Sequence, residues 1–168
     1  LDVDGYGISF VQNEKILKKL KSKFPQKLLI SKIENYLGLK NVDLISKYTD
    51  MIMIDRGDLS AEIEPENLYG AIEKISTSCK SEGKPLIMAT ENLVSMTKNN
   101  QPSKSEIISL GHSMSINTDC IMLSEETATS MNYSLILKWL SNFLKRNKFS
   151  KKIAYTKSIT HNPLWDAV

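Results

Sequence analysis

The 168-residue chain has little of what marks several large classes of protein. It contains two cysteines, Cys79 and Cys120, whose separation fits neither a metal motif nor a disulfide framework. No apolar run comes near the roughly 20 residues that a membrane-spanning helix needs. Its 22 basic and 19 acidic side chains leave a net charge of +3, too even a balance to indicate nucleic acid. We therefore expect a reducing, cytoplasmic setting, with neither membrane nor nucleic acid as a partner.

Two phosphate-binding fingerprints of open α/β sheets are also missing. Neither GxGxxG nor GxxxxGK[ST] follows any apolar segment that we interpret as a strand. The hydrophobic fraction of 41% is nevertheless ordinary, so the chain is able to bury a core. The sequence thus predicts a folded protein of about one domain, without either common nucleotide motif.

Short apolar segments alternate with amphipathic ones. The apolar segments lack strict polar–apolar alternation, as expected of parallel strands that are covered on both faces. The predicted strands are Gly5–Val11, Lys27–Ile33, Met51–Asp55, Pro85–Thr90 and Cys120–Ser124. Between them lie helical patterns, one closed by Gly83 and another begun by Ser103 with Glu106 as a capping box. Five β/α units predict an α/β fold with a parallel sheet.

Polar residues collect where the predicted strands end. They are Ser9, Lys32, Glu34, Arg56, Asp58, Thr90, Ser124 and Glu126. In a TIM (β/α)8 barrel this rim carries the chemistry, so the pattern favours part of such a barrel. The β/α rhythm stops after Lys148, so we assign residues 1–148 to the barrel and 149–168 to a linker and the start of a following domain. Because the chain opens inside a strand pattern without Met, we interpret it as a segment of something longer.

The charged rim has a chemical interpretation. Lys32 and Glu34 are two apart on one strand and share a face. Glu34 and Asp58 end adjacent strands, and paired carboxylates are a usual way to hold Mg²⁺. Gly57 permits close approach of a ligand to the backbone, and free N–H groups of a helix in "DLSAEI" suit an anion such as a carboxylate. Lys32 is then placed to stabilise a phosphoryl group or an enolate.

Structural interpretations compete with this one. A Lys-x-Glu pair at a strand end is more often a salt bridge, and Asp58 is equally suited to capping the following turn. Thr90 and Ser124 are able to serve only as partners for backbone groups. What favours chemistry is that all of these residues fall at successive strand ends.

Several motifs resemble the pyruvate kinase family. "ISKIEN" at 30–35 is similar to that family's lysine and metal-ligand motif, and "MIDRGDL" at 53–59 resembles "MVARGDLG". "PLIMATENLVSM" at 85–96 resembles "PVICATQMLESM". "PSKSE" at 102–106 is similar to "PTRAE", and "DCIMLSEETA" at 119–128 to "DCIMLSGETA". Order and spacing agree from about Asp4 to Phe143, which makes the resemblance specific.

The resemblance implies a fold and a reaction. It implies the fourth to eighth strands of the catalytic barrel, that is, about its last five β/α units. The implied activity is transfer of a phosphoryl group from phosphoenolpyruvate to ADP, giving pyruvate and ATP in glycolysis. The implied cofactors are Mg²⁺ or Mn²⁺, together with K⁺ whose ligands lie outside this segment, and the implied assembly is a homotetramer of the full-length protein.

The resemblance also implies residue roles. Lys32 matches the essential lysine near the transferred phosphoryl group. Glu34 and Asp58 match the metal ligands, and the backbone of Gly57 and Asp58 matches the substrate carboxylate site. Thr90 matches the threonine near the enolpyruvate methylene carbon.

Three further positions carry roles by the same resemblance. Ser124 and Glu126 match residues proposed to assist proton movement. Arg56 matches an arginine beside the active site at a subunit contact. These roles are expectations of the family pattern and do not follow from spacing.

The sequence departs from the family pattern inside the motifs. Asp55 replaces a small Ala beside the carboxylate site, where it would repel an anion. Glu91 and Asn92 replace Gln-Met, and Glu125 replaces a Gly. Two alternatives therefore stand beside the kinase: a Mg²⁺-dependent lyase of the related phosphoenolpyruvate and pyruvate barrels, and a catalytically impaired regulatory paralogue.

Overall fold

A computed structural model describes residues 3–147. The predicted linker and following segment, 149–168, lies outside the described residues. Five parallel strands form one sheet in the order β1-β2-β3-β4-β5. The strands are β1 Gly5–Ile8, β2 Leu28–Ile33, β3 Met51–Asp55, β4 Leu86–Ala89 and β5 Cys120–Ile121. The helices are α1 Glu14–Lys23, α2 Tyr36–Lys40, α3 Val42–Tyr48, α4 Arg56–Glu62, α5 Leu68–Ser81, α6 Lys104–Ser115, α7 Glu125–Thr129 and α8 Tyr133–Arg146.

The strand order follows the chain order. Helices α1, α3 and α5 all contribute apolar side chains to one core on the same face of the sheet. A doubly wound open sheet would reverse its strand order and place helices on both faces. This arrangement confirms the predicted α/β fold with a parallel sheet. Sequential strand order with helices on one face is the arrangement found in part of a (β/α)8 barrel.

The two faces of the sheet differ in burial. The face toward the helices carries fully buried side chains such as Leu29, Ile33 and Ile52. The opposite face carries a smaller apolar cluster of Met53, Ile87 and Ala89, and its further members are only partly buried: Ile30, Met51, Cys120 and Met122. The sequence predicts strands that are covered on both faces, and β2 departs from this because its residues alternate between half-buried and buried. In a closed barrel this half-buried face is the concave, interior side of the sheet.

Two strands end earlier than predicted because the backbone turns. Phe10 has a φ of 51°, and its N–H leaves the sheet to donate to Glu34 Oε2. Thr90 has a φ of 58°, so β4 ends at Ala89. Left-handed backbone is costly for residues with a side chain, so each turn requires fixed neighbours. The fifth strand is also shorter than predicted and pairs with β4 only at Cys120 and Ile121.

The predicted helix caps are present. Gly83 has a φ of 61° just after α5, a conformation that glycine adopts without steric cost. Ser103 and Glu106 form the predicted capping box at the start of α6. Glu106 also accepts from the Ser95 N–H and hydroxyl, so it ties the loop after β4 to α6. Burial alone would raise the pKa of Glu106, but these donors outweigh it and lower that pKa.

Among residues 3–147, no helix combines the length and the apolar character that crossing a membrane requires.

The concave face leads to a prediction about the chain by itself. Residues 1–168 produced alone should self-associate and bind a hydrophobic dye, because nothing within residues 3–147 covers the apolar side chains on that face or the edges β1 and β5. Size-exclusion chromatography and dye fluorescence measure this, with the same chain joined to the rest of a barrel as the control. A compact monomer without dye binding would contradict it.

Candidate active site

Lys32 lies in an ionic cluster at the carboxyl ends of β2 and β3. Its Nζ is 2.5 Å from Glu34 Oε1 and 3.4 Å from Asp55 Oδ2. It also donates to Ser9 Oγ at the end of β1. Burial alone would lower the pKa of Lys32, but Glu34 and then Asp55 outweigh it, so the pKa is raised and the ammonium form is favoured. The lysine is therefore a fixed positive charge at the rim.

Glu34 is the most deeply buried member of the cluster, with 1% of its surface exposed. Its Oε2 accepts from the Phe10 N–H. Its Oε1 pairs with Lys32 Nζ and has no further hydrogen-bond donor within residues 3–147. A buried carboxylate oxygen in this state has capacity for a further cation.

Asp55, Gly57 and Thr90 form a second network. Thr90 Oγ1 is 3.1 Å from Asp55 Oδ1 and 2.8 Å from Ala89 O, either of which accepts its proton. The Gly57 N–H donates to the same hydroxyl oxygen at 3.1 Å. The first turn of α4 and the end of β4 are therefore joined by one side chain. The backbone N–H that the sequence indicated for a substrate carboxylate is engaged by Thr90 in this state.

Three carboxylates converge where β2 and β3 end. One oxygen from each of Glu34, Asp55 and Asp58 lies within 4.8 Å of the others. The strand register explains the convergence, since Ile33 pairs with Ile54 and the next residues, Glu34 and Asp55, follow at the same level. Asp58 reaches the cluster from the first turn of α4, where it is exposed. Such an oxygen set fits Mg²⁺ or Mn²⁺.

Arg56 is buried behind the site and is bound by four acceptors. Its guanidinium donates to Ala89 O, Thr90 O, Asn92 Oδ1 and Ser109 Oγ. Burial lowers the pKa of Arg56, and the charge of Glu91 acts against that shift. These bonds hold the left-handed turn that begins at Thr90. The sequence indicated Arg56 for a subunit contact, which stays a prediction; within the chain it fixes the loop after β4.

An open cleft of about 690 Å³ lies beside the cluster. Its lining includes Asp58, Thr90, Ser124 and Glu126 from the predicted rim, together with Asp55 and Gly57, but not Lys32 or Glu34. The Ser124 hydroxyl and a backbone amide lower the pKa of the exposed Glu126. The structure thus brings six rim residues to one cleft, five of which the sequence indicated as site residues.

Two contributions were missed by sequence reasoning. Asp55 was noted only as a departure that would repel an anion, yet it contacts both Lys32 and Thr90. Asn92 was noted only as a replacement, yet it is buried and its amide donates to Met88 O and Met122 O. The position of Asp55 at the end of a buried strand could have indicated that its side chain belongs to the site. Nothing in the sequence near Asn92 indicated its hydrogen-bond partners.

The fold and the site together define a class. The chain forms a parallel sheet with helices on its outer face, and a lysine and several carboxylates lie at the carboxyl edge of that sheet. This arrangement is part of a (β/α)8 barrel with a charged rim. The family model described as the pyruvate kinase barrel domain matches residues 2–135. This chain belongs to the pyruvate kinase family.

Individual relatives agree with this assignment. The pyruvate kinase of Encephalitozoon cuniculi is 42% identical over 118 residues, which are 70% of this chain and 27% of that protein. The pyruvate kinase of Eimeria tenella is 43% identical over 124 residues, or 71% of this chain and 23% of that protein. A crystal structure of a pyruvate kinase from Cryptosporidium parvum has a TM-score of 0.82 at 31% identity, covering 90% of this chain and 33% of that chain. The chain spans about a quarter of the length of these two curated relatives.

The burial of Arg56 leads to a prediction. Arg56→Lys should loosen the turn after β4, because an ammonium cannot reach all four acceptors. The expected cost is about 1–3 kcal/mol of local stability, seen as faster hydrogen exchange at residues 90–97. Arg146→Lys, at the exposed end of α8, is the control and should exchange as the parent does. Unchanged exchange in Arg56→Lys would refute the anchoring role.

Proposed function

We propose that the full-length protein transfers a phosphoryl group from phosphoenolpyruvate to ADP, giving pyruvate and ATP. The observation that carries this proposal is the contact of Lys32 Nζ with the buried carboxylates of Glu34 and Asp55, at the strand ends of a chain in the pyruvate kinase family. An ammonium fixed at this position is suited to developing negative charge on a phosphoryl group and an enolate.

In this proposal Glu34 and Asp58 hold Mg²⁺ or Mn²⁺. The buried Glu34 Oε1, which has no hydrogen-bond donor among residues 3–147, and the nearby Asp58 oxygen support that assignment. When bound, the metal supplies positive charge that orients substrate oxygens and offsets charge in the transition state. The metal, which would orient the substrate, and the ammonium of Lys32 would then act on the substrate from the same side of the cleft.

The remaining roles concern substrate and protons. The Gly57 and Asp58 backbone would bind the substrate carboxylate, and an arriving carboxylate would have to displace Thr90 Oγ1 from the Gly57 N–H. Thr90, once displaced, would face the enolate carbon. Ser124 and Glu126 would assist proton movement, and the lowered pKa of Glu126 supports a carboxylate that is ionised at neutral pH.

Further proposals concern the whole protein. A homotetramer with Arg56 near a subunit contact, binding of K⁺ and the nucleotide by residues outside this chain, and a cytoplasmic location are proposed from the family.

A second candidate is a catalytically impaired paralogue. The observation that favours it is Asp55, since a buried negative charge beside the carboxylate site opposes an anionic substrate. Coupled turnover of phosphoenolpyruvate and ADP by the full-length protein separates this candidate from the kinase, because only the kinase forms pyruvate. A lyase would instead consume its substrate without ADP.

A first prediction concerns the metal. Asp58→Ala in the full-length protein should weaken Mn²⁺ binding about tenfold or more, because it removes a proposed ligand. Electron paramagnetic resonance of free Mn²⁺ measures the affinity. Glu62→Gln, an exposed carboxylate at the end of α4, is the control and should bind as the parent does. Unchanged affinity in Asp58→Ala would remove Asp58 from the site.

A second prediction concerns Lys32. Lys32→Met should reduce kcat far more than it changes KM for phosphoenolpyruvate, because the proposed ammonium acts on charge that develops in the transition state. Steady-state kinetics of the full-length enzyme measures both constants. Lys21→Met, which removes the ion pair of Nζ with Asp50 at the opposite end of the strands, is the control. Near-normal kcat with a raised KM would assign Lys32 to substrate binding instead.

A further inference from the structure

We propose that Asp55 is a third carboxylate ligand of the divalent metal, beside Glu34 and Asp58. The inference rests on the proposed function, which places the metal at this rim with two ligands. It adds a ligand at a position where the resembled family motif has a small alanine.

The position of Asp55 supports direct contact with a metal. Its carboxylate is at the level of Glu34 because the two residues follow a paired position on β2 and β3. One oxygen of each, together with one of Asp58, lies within 4.8 Å of the others, close enough for one ion to reach all three. Asp55 makes no side-chain bond to cap α4, and its carboxylate contacts Lys32 Nζ and Thr90 Oγ1 instead.

The charges of the cluster also call for a cation. Glu34, Asp55 and Asp58 converge, and Lys32 is the ammonium in contact with two of them. Three carboxylates against a single ammonium leave two negative charges, the amount that a divalent cation neutralises. Both Glu34 and Asp55 are buried, at 1% and 6% exposure, so water offsets little of that charge.

An independent observation comes from Glu34. Its Oε1 is buried and, apart from the ion pair with Lys32 Nζ, has no hydrogen-bond donor in residues 3–147. Lys32 contacts this oxygen but also contacts Asp55, so one ammonium is divided between two carboxylates. A bound cation would satisfy Glu34 Oε1 and relieve the repulsion between Glu34 and Asp55 together.

A third ligand has a chemical consequence. Mg²⁺ sites that serve phosphoryl transfer usually keep several waters and use one or two carboxylates. Adding Asp55 increases the negative charge of the site, so the metal should bind more tightly before substrate arrives. It would also leave the metal less able to bind further oxygens from water or substrate.

The experiment measures Mn²⁺ binding to the full-length protein without substrate, using electron paramagnetic resonance of the free ion. Asp55→Asn removes the charge but keeps an oxygen able to accept from Thr90. Asp55→Ala restores the small residue of the family motif and decides the question if the asparagine variant does not fold. Each should weaken Mn²⁺ binding about tenfold or more, the scale expected on loss of a ligand.

Two matched variants separate the explanations. Glu91→Gln removes an exposed carboxylate that lies in the same cleft but outside the three-carboxylate cluster, and it should change the affinity less than about twofold because exposed charges are screened. Glu34→Gln tests the proposed metal site itself. Melting temperatures without metal establish that each variant is folded.

The outcomes are distinguishable. Weak binding in Glu34→Gln and in both Asp55 variants, with Glu91→Gln near the parent, supports a third ligand. Weak binding in Glu34→Gln alone overturns the inference and leaves the two-ligand site in place. Equal losses in Asp55→Asn and Glu91→Gln overturn it as well, since they would show only the field of a nearby charge. Parent-like binding in Glu34→Gln refutes the metal site on which the proposal rests.

Discussion

The contact between Lys32 and Glu34 is the constraint on which the rim depends. Glu34 is buried at the end of β2, and removing a carboxylate from water is costly unless cations and donors surround it. Lys32, the Phe10 N–H and the convergence of β1, β2 and β3 supply that surrounding. The strands must therefore end where they do, because Phe10 reaches Glu34 only after β1 has turned away from the sheet.

The same contact explains why the rim is suited to chemistry more than to stability. A buried ion pair is seldom more stabilising than apolar residues of similar volume. Here the cluster carries more negative than positive charge, which adds repulsion to the cost of burial. A further cation would neutralise the excess negative charge of this cluster. That neutralisation is the physical basis of the proposed metal site.

Much of the fold was predictable because local signals agreed. The run of Met51–Asp55 predicted β3 with its observed bounds, and the Ser103 and Glu106 pair predicted the start of α6. The alternation of β2 was not predictable, since half-burial of the concave face depends on which strands are present to close a barrel. The shared face of Lys32 and Glu34 followed from strand periodicity, whereas the position of Asp58 followed from its place just after the end of β3. The partners of Arg56 did not, because its four bonds go to acceptors 33 or more residues away in the sequence. Three of these acceptors lie at and after the end of β4, and Ser109 lies on α6.

Arg56 gives the site a mechanical property. One guanidinium holds the end of β4 through Ala89 O and Thr90 O, and holds α6 through Ser109 Oγ. Thr90 in turn engages Asp55 and the Gly57 N–H. A sliding of α6 along its axis would therefore either break the Ser109 bond or draw Arg56 with it and tilt the Thr90 hydroxyl. Arg56 therefore connects the position of α6 to the position of the backbone that carries Thr90 at the cleft.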